Sequence, residues 1–270
     1  MVRAQQLVKS MDDLQKLGQF EEAIPLAEEF VLTCRELFGK RSAEMAFALH
    51  QLGYFQYSKG NMTEAKKLNE QALAIRRAVL GNEHQHTVLS LRNLANALLG
   101  LGKYDQALVF QQEVVEILRK SIGEKSPEVA SLLHEIAETH RRNNDSDAAQ
   151  THFEQALAIR KQVLSVNHPD TAQTLHHLGA MLVTVGRYAE GRPYLEQALA
   201  IYRATISEQD PRTVATLVHL GIACGELKDL DTQQSCYEQA LAIRKETLGD
   251  DHPDTLTSIN SMGALLVSQG

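Results

Sequence analysis

Apolar residues recur at helical spacing along the whole chain. Leu175, Leu178 and Leu182 stand at positions i, i+3 and i+7, so they share one face of a helix. A second helical pattern follows and includes Leu195 and Leu199. No segment alternates apolar and polar residues as a half-buried strand does. The pattern therefore predicts an all-α chain built from helix pairs, each with a helix A followed by a helix B.

The pattern repeats every 42 residues without an insertion. The motif EQALAIR begins at positions 70, 154 and 238, EQALAIY begins at 196, and the weaker versions EEFVLTC and QEVVEIL begin at 28 and 112. A second landmark is a large apolar residue in the middle of each helix A. Its members are Leu52, Leu94, Ile136, Leu178, Leu220 and Met262. Self-similarity at a fixed period of this length is typical of helical repeat proteins.

Short polar motifs mark the joints between the repeats. The joints read HQHT at 84, SPEV at 126, DPRT at 210 and HPDT at 168 and 252. Pro169 and Asp170 are first-turn residues, so HPDT predicts a helix start. Glycine predicts the turn after helix A, at Gly18, Gly60, Gly102, Gly186 and Gly270, with Asn144 as a substitute. Helix B is expected to end near Ser207, where other repeats carry Gly39, Gly81, Gly123 or Gly249.

Stacked helix pairs bury apolar faces that one pair cannot bury alone. We therefore expect one solenoid domain over residues 1–270. Its helix pairs are 1–41, 42–83, 84–125, 126–167, 168–209 and 210–251, and a terminal helix covers 252–270. Apolar residues, among them Leu256 and Leu266, make the terminal helix more apolar than a polar capping helix. We expect either a fragment of a longer array or end-to-end self-association.

The segment EQALAIRK at 154–161 returns unchanged at 238–245. Its central residues, Ala156 to Ile159, combine small and large side chains that suit packing against helix A of the same and the next repeat. Its flanking residues are expected to face solvent, namely Glu154, Gln155, Arg160 and Lys161. The segment is thus interpreted as scaffold and not as an active site.

Composition excludes several classes of function. The net charge of -7 is spread along the chain without a basic stripe, so no nucleic acid partner is expected. The chain lacks an apolar run of about 20 residues and a signal sequence, so we expect no membrane contact and a cytoplasmic location. The cysteines Cys34, Cys224 and Cys236 lack metal or disulfide spacing and predict buried thiols in a reducing compartment.

Catalytic sequence motifs are also missing. The sequence contains no GxSxG elbow, phosphate-binding loop, HExxH helix or dinucleotide fingerprint. The glycines punctuate helices instead. We therefore expect no enzyme activity and no cofactor, with an enzyme built from repeats as the alternative.

The landmarks resemble the tetratricopeptide repeat. Leu178, Gly179, Tyr188 and Ala198 match its pattern, and Gly191 stands where other repeats have alanine. The repeat length, the ALAI core and the HPDT joint look like the kinesin-light-chain type, which is also found in bacterial multidomain sensors. The resemblance implies a right-handed superhelix of about six helix-turn-helix units plus a terminal helix. It implies a noncatalytic scaffold or adaptor that binds a protein or peptide, or alternatively a sensor or regulatory arm.

The resemblance also implies that helix A residues line a concave groove. The expected positions are one and two residues before the landmark and two residues after it. These residues are His50, Gln51 and Tyr54; Arg92, Asn93 and Asn96; His134, Glu135 and Glu138; His176, His177 and Ala180; Val218, His219 and Ile222; and Asn260, Ser261 and Ala264. Kinesin-light-chain repeats often carry Asn-Asn before the landmark, similar to a clamp on a peptide backbone. Here Asn93 and Asn260 each retain one member of that pair.

Histidine replaces asparagine at many of these positions. Five of the eleven histidines fall there, namely His50, His134, His176, His177 and His219. They could form hydrogen bonds between helices, or contact a ligand and gain charge toward pH 6.5. A zinc site is disfavoured, because one histidine per repeat rarely converges and the adjacent His176 and His177 are expected to diverge.

Basic residues of the groove suggest a second feature of the partner. Arg92 and Lys103, and Arg141 with Arg142, could bind an acidic segment, although Glu135 and Glu138 would oppose it. We expect Arg92, Asn93 and Asn96 to form the centre of such a site.

Overall fold

The protein folds into thirteen helices over the residues that the structure describes. A computed structural model describes residues 1–269, with side chains as far as Val267. The chain divides into two compact units, an N-terminal unit (residues 1–124) and a C-terminal unit (from residue 125). The N-terminal unit contains α1 (Val2–Lys16), α2 (Phe20–Phe38), α3 (Ala43–Ser58), α4 (Met62–Leu80), α5 (Gln85–Gly100) and α6 (Tyr104–Ile122). The C-terminal unit contains α7 (Pro127–Arg142), α8 (Ser146–Val163), α9 (Pro169–Thr184), α10 (Tyr188–Thr205), α11 (Pro211–Glu226), α12 (Leu230–Leu248) and α13 (Pro253–Gln269).

The helices follow the sequence repeat. From α3 onward the odd-numbered helices begin at residues 43, 85, 127, 169, 211 and 253, one every 42 residues. They are the A helices, and the even-numbered helices are the B helices. Within each unit every helix packs against the next one along the chain, and no strand occurs within residues 1–269. The prediction of an all-α repeat solenoid is confirmed.

The A helices begin at the joints, as the motifs predicted, and side chains at the joints cap them. Pro127, Pro169 and Pro211 each begin a helix, where the missing backbone donor costs no hydrogen bond. The preceding residue supplies the cap. The Ser126 hydroxyl accepts a hydrogen bond from the backbone N–H of Val129 at 3.1 Å. These local signals explain why the helix starts could be located from the sequence.

The turn after each helix A adopts a left-handed backbone conformation. Its φ angle is +70° at Gly18, +81° at Gly186 and +60° at Asn144, as the sequence predicted. Gly270, predicted for the same position, lies outside the described residues. One repeat carries an unpredicted residue in this turn, because Lys228 has a φ angle of +66°. A side chain at this angle is strained, since its Cβ approaches the following carbonyl oxygen.

Replacing Lys228 with glycine is therefore expected to raise the free energy of unfolding by about 0.5 to 1 kcal/mol. Chemical denaturation followed by circular dichroism measures the change. The matched control is Asn144→Gly at the equivalent turn, where a smaller gain is expected because asparagine tolerates this conformation. A loss of stability in Lys228→Gly would contradict the assignment of strain.

Small residues allow α9 and α10 to approach closely. A Cβ at Gly179 would lie 2.7 Å from Leu195 Cγ, and a Cβ at Gly191 would lie 2.8 Å from the carbonyl oxygen of Gly179. Both distances are shorter than a carbon atom tolerates. The prediction that Gly179 permits a close neighbour is confirmed, and Gly191 has the same role on the partner helix.

The repeated EQALAIRK segment contains a buried arginine. Only 4% of Arg160 is exposed, so the expectation that it faces solvent is wrong. Its Nη1 donates hydrogen bonds to the carbonyl oxygen of Asp170 and to Thr174 Oγ1, both at 2.6 Å. The same bonds join Arg76 to His86 and Ser90, and Arg244 to Asp254 and Ser258. The guanidinium group thus ties a helix B to the first turns of the following helix A.

Burial of these arginines disfavours their charged form. Burial lowers the pKa of Arg76 to about 10, and it also lowers the pKa of Arg160. The hydrogen bonds to oxygen atoms compensate part of this cost. The contribution of each arginine to stability therefore depends on the hydrogen-bond acceptors at the start of the following helix A.

The cysteines are buried in helices, as predicted. Cys34, Cys224 and Cys236 are unpaired thiols. Burial raises the pKa of the Cys236 thiol to about 11, so this thiol is protonated at neutral pH.

Helix α13 leaves apolar side chains exposed. Leu256, Ile259 and Leu266 lie on the surface, whereas Leu265 is buried. End-to-end self-association and a longer array both stay predictions.

Candidate functional site

A small cavity lined by three asparagines and two tyrosines, the polar cavity, lies between α3, α4 and α5 in the N-terminal unit. Its volume is about 100 Å³, and three helices line it. Helix α3 contributes Gly53, Tyr54 and Tyr57, α4 contributes Asn69, and α5 contributes Asn93 and Asn96. Three of the predicted groove residues, Tyr54, Asn93 and Asn96, are therefore brought together. Gly53, Tyr57 and Asn69 also line the polar cavity and were not predicted to do so.

Asn69 forms the buried wall of the polar cavity. It is 1% exposed, and its Nδ2 donates a hydrogen bond to the carbonyl oxygen of Ala65 at 2.9 Å. Its Oδ1 has no hydrogen-bond partner among the described residues. The side chain lies against Gly53, where a Cβ would come within 3.2 Å of Asn69 Nδ2. Glycine at this position therefore leaves room for the amide.

A hydrogen bond between successive A helices orients Asn93. Its Nδ2 lies 3.2 Å from His50 Nδ1. Burial lowers the pKa of His50 to about 4, so the imidazole is neutral at pH 7 and Nδ1 accepts the bond from the amide. This bond uses one of the two amide hydrogens of Asn93.

Four histidines of the C-terminal unit form a continuous cluster, the imidazole cluster. The ring centroids are 4.9 Å apart for His134 and His177, 5.3 Å for His176 and His177, and 5.5 Å for His176 and His219. Each pair meets edge to face, and Phe153 of α8 packs on His134. His176 and His177 diverge toward different neighbouring helices, as expected, but their ring centroids stay 5.3 Å apart, so both belong to one cluster.

A simple rule relates the histidine contacts to the repeat. The residue two places before the landmark on one A helix meets the residue one place before it on the next A helix, 43 residues later. The pairs are His50 with Asn93, His134 with His177, and His176 with His219. The rule explains why adjacent histidines on α9 join a chain of rings: one pairs with the preceding A helix and the other with the following one.

An ion pair closes one side of the imidazole cluster. His177 Nδ1 donates to Glu138 Oε1 at 2.8 Å, and Arg141 Nη2 donates to Glu138 Oε2 at 2.9 Å. Burial alone would raise the pKa of Glu138, but these two hydrogen bonds hold it at about 2. Arg141, predicted to help bind an acidic segment, therefore already contacts a carboxylate of its own helix.

Hydrogen bonds also fix the tautomers of two histidines. The Thr216 hydroxyl donates to the carbonyl oxygen of Arg212 at 2.7 Å, so it accepts from His176 Nδ1 at 2.9 Å. His219 Nδ1 donates to the carbonyl oxygen of Ala215 at 2.9 Å. In the neutral form of each ring, Nε2 then carries a lone pair. The cluster can accept hydrogen bonds at these atoms.

Burial keeps part of the imidazole cluster neutral. Burial and the neighbouring His177 lower the pKa of His134 to about 3, and burial with His177 and His219 lowers the pKa of His176 to about 3. The first alternative for the five predicted histidines was hydrogen bonding between helices. It is confirmed for His50, His134, His176 and His177, but not for His219. Contact with a ligand stays a prediction. Among the described residues no three His, Cys, Asp or Glu side chains converge to hold a metal ion.

The remaining predicted residues are separate from these two features. Gln51 is half-buried, and Arg92, Glu135 and Asn260 are exposed on their A helices. Arg92 precedes Asn93 in the chain but does not line the polar cavity. The predicted roles of these four residues in ligand binding stay predictions.

Sequence reasoning missed residues on the B helices. Asn69 lines the polar cavity and Phe153 supports the imidazole cluster, and both occupy the same position of the repeat. Gln111 also occupies it, is buried, and has an Oε1 without a partner among the described residues. The available signal was the variation at this position, which holds Ala27, Asn69, Gln111, Phe153, Leu195 and Tyr237.

A larger apolar cavity lies between α1, α2 and α3. Its volume is about 410 Å³, and Phe30, Cys34 and Phe47 are among its lining residues. Cys34 stands at the repeat position of Arg76 and Arg160. Cysteine is shorter than the arginine that stands at this position in three other repeats, at Arg76, Arg160 and Arg244.

Comparisons with known proteins agree with this architecture. A tetratricopeptide repeat model matches residues 44–120, 90–162, 128–204 and 170–232, and a second such model matches residues 213–254. A comparison with curated protein sequences gives no significant match. Within residues 1–269, every helix is too short or too polar to cross a lipid bilayer.

Solved structures show the same fold. A Podosopora anserina protein described as kinesin light chain TPR-like repeats is 27% identical, with 77% of this chain and 98% of that chain covered and a TM-score of 0.65. BtubC (BKLC) from P. vanneervenii is 20% identical, with 87% and 94% covered and a TM-score of 0.70. A STAND protein from Pyrococcus horikoshii with a tetratricopeptide repeat sensor is 15% identical, with 98% and 38% covered and a TM-score of 0.78.

The helix pairs, their fixed period and these matches define a helical repeat protein of the interaction-scaffold class. The chain belongs to the tetratricopeptide repeat family, and its repeats are of the kinesin-light-chain type. Proteins of this family typically bind proteins or peptides and are generally noncatalytic.

Proposed function

We propose that this protein is a noncatalytic scaffold or adaptor that binds an extended segment of a partner protein on its A helices. The observation that carries the proposal is the polar cavity. Tyr54, Asn93 and Asn96 come from two successive A helices and line one cavity together. Side-chain amides can donate and accept hydrogen bonds at once, which suits them to the peptide groups of an extended segment.

The imidazole cluster provides a second contact surface in the C-terminal unit. His176 carries an acceptor atom at neutral pH, because burial lowers its pKa to about 3 and its Nδ1 donates to the Thr216 hydroxyl. A bound segment that supplies backbone N–H groups would match this surface. The two surfaces share one chemistry, which is hydrogen bonding by uncharged side chains of the A helices.

Replacing Arg92, Asn93 and Asn96 with alanine is expected to weaken binding of a peptide ligand about 10- to 30-fold. Each lost hydrogen bond to an uncharged group is worth about 0.5 to 1.5 kcal/mol, and about 1.4 kcal/mol is a factor of ten. The ligand is selected from a random peptide library displayed on phage, with the wild-type protein as bait. Fluorescence anisotropy with the synthesised peptide then gives the dissociation constants.

The matched control replaces three exposed residues of helix B. Lys67, Glu70 and Gln71 lie on the surface of α4 and do not line the polar cavity. Alanine at these positions is expected to leave affinity unchanged. Equal affinity of the wild type and the Arg92, Asn93 and Asn96 triple variant would show that the segment binds elsewhere.

A further inference from the structure

The joint between α2 and α3 differs in charge from the later joints. Lys40 and Arg41 stand in it, and both side chains are exposed. The pairs at the same two positions of the later joints are Asn82 and Glu83, Glu124 and Lys125, Val166 and Asn167, Glu208 and Gln209, and Asp250 and Asp251. The pair therefore carries a formal charge of +2 in the first joint, residues 39–42, and of -2 in the last, residues 249–252. These two segments are the basic joint and the acidic joint.

A third cation, Arg35, lines the same cavity as Lys40 and Arg41. In four later repeats the cation at the position of Arg35 forms an ion pair. These ion pairs are Arg77 with Glu113, Arg119 with Glu116, Arg203 with Glu208 and Lys245 with Asp250. Relative to Arg35, the places of these carboxylates hold Gln71, Leu32 and Lys40. None of these three side chains can neutralise Arg35, so the basic joint brings three positive charges together.

The cavity beneath the three cations is lined by apolar residues. Its volume is about 430 Å³. Ala74 and Ile75 of α4 form part of its wall and are exposed and half-buried, respectively, while Met45 and Leu49 of α3 are buried beneath them. A cavity of about 150 Å³ can hold a benzene molecule, so this one has room for a large apolar side chain. The basic joint therefore suits a ligand that combines carboxylates with an apolar residue.

The acidic joint between α12 and α13 offers these complementary groups. Asp250 and Asp251 are exposed, and so are Leu248 before the joint and Leu256 after it. Asp250 Oδ1 lies 3.2 Å from Lys245 Nζ, but both side chains of this ion pair are exposed, and such pairs contribute little to stability. The two carboxylates can therefore turn to a partner at little cost.

We propose that the acidic joint of one copy of this protein binds the basic joint of a second copy. The two aspartates lie against the three cations, and Leu248 enters the cavity beneath them. Because the two joints are different surfaces, the contact is heterologous, and each bound copy leaves one joint open for a further copy. Neither joint shares a residue with the polar cavity, so the contact does not depend on the proposed function.

The chain itself carries the surface that matches the basic joint. Among the six joints, all of which the structure describes, only the acidic joint has two acidic residues at these positions. The net charge of -7 makes copies repel each other at long range, so association requires a local attraction of this kind. Burial of Leu248 adds a contribution from the hydrophobic effect.

Sedimentation velocity at a series of protein concentrations tests the contact. The average mass of the wild type is expected to rise above the 30.0 kDa of one chain as the concentration increases. Reversal of the basic joint, Lys40→Asp with Arg41→Asp, is expected to raise the dissociation constant at least about tenfold, because like charges then face each other. Reversal of the acidic joint, Asp250→Lys with Asp251→Arg, is expected to have the same effect. An equimolar mixture of the two variants is expected to restore association, since every joint then finds an opposite charge.

Two controls keep the test specific. Lys120→Asp with Lys125→Asp changes the net charge as much as reversal of the basic joint does, and both lysines are exposed. This variant is expected to associate as the wild type does, and so is the triple alanine variant of Arg92, Asn93 and Asn96. Circular dichroism checks that each variant keeps its helix content. If a reversal variant fails to fold, Leu248→Gln replaces it and is expected to weaken association without a change of charge.

The outcomes decide between this contact and other surfaces. A wild type that stays monomeric at every concentration refutes the proposal. Equal association of the wild type and both reversal variants, or a mixture that associates no better than its components, also refutes it and assigns self-association to another surface. Loss of association in each reversal variant together with recovery in the mixture supports the proposal. A peptide library without a ligand would refute the proposed function and leave this contact untouched.

Discussion

Replacing Arg160 with alanine is expected to lower the free energy of unfolding by about 3 kcal/mol. The guanidinium group is buried and bonded to the Asp170 carbonyl oxygen and to Thr174 Oγ1. Truncation removes these charge-assisted bonds and leaves a cavity between α8 and α9, and each effect costs on the order of 1 to 3 kcal/mol. Urea denaturation followed by circular dichroism measures the loss.

The adjacent residue of the same repeated segment is the control. Lys161 is exposed, so Lys161→Ala is expected to change stability by less than about 0.5 kcal/mol. A second variant combines Arg160→Leu with Thr174→Leu, which reproduces Leu118 and Leu132 one repeat earlier. It is expected to recover part of the loss, because the two leucines fill the space that the arginine left and remove the hydroxyl to which it was bonded. Similar effects of Arg160→Ala and Lys161→Ala would contradict the role assigned to Arg160.

Lowering the pH from 7 to 5 is expected to destabilise the protein through His134 and His176. Both have a pKa of about 3 in the folded chain, against about 6.5 in the unfolded chain. Below pH 6.5 the unfolded chain therefore binds protons that the folded chain does not bind. The stabilisation is fully present above pH 6.5 and is lost as the pH falls toward 3. Between pH 7 and pH 5 the loss in the free energy of unfolding amounts to about 2 kcal/mol for each histidine.

The chosen pH range separates the histidines from the ion pair beside them. Glu138 has a pKa of about 2 in the folded chain, so its contribution is present above its ordinary pKa and is lost only at lower pH. Urea denaturation at a series of pH values gives the slope. The variant His134→Asn is expected to remove the contribution of one histidine from the slope of unfolding free energy against pH. The double variant His134→Asn with His176→Asn is expected to remove the contributions of two. A slope that is the same in the double variant and the wild type would show that other groups cause it.

The repeat and its helices could be predicted because their signals are local. Prolines, capping residues and glycines stand at the same positions every 42 residues, and each acts on the few backbone groups around it. The helix starts at Pro127, Pro169 and Pro211 follow directly from them. Lys228 escaped prediction, since lysine does not prefer the left-handed conformation that this turn adopts and so gives no local signal for it.

The candidate site could be predicted only in part. The expected groove positions included Tyr54, Asn93 and Asn96, because the resemblance to the tetratricopeptide repeat implies that residues one and two places before the landmark and two places after it line a groove. Asn69 was missed, because a helix B residue reaches the polar cavity only where Gly53 leaves a gap above it. Arg160 was assigned to solvent for a related reason, since the surface that buries it belongs to the start of the next helix.

The sequence by itself determined the repeat, the helix pairs and their boundaries, the all-α class and the family resemblance, because periodicity and capping act over a few residues. Only the tertiary structure decided which side chains meet. The relation between His134 and His177, or His50 and Asn93, depends on how one A helix stacks on the next, and that register follows from packing across about 43 residues of chain. Local patterns identify the faces of a helix, whereas contacts between repeats determine which polar groups on those faces remain available to a partner.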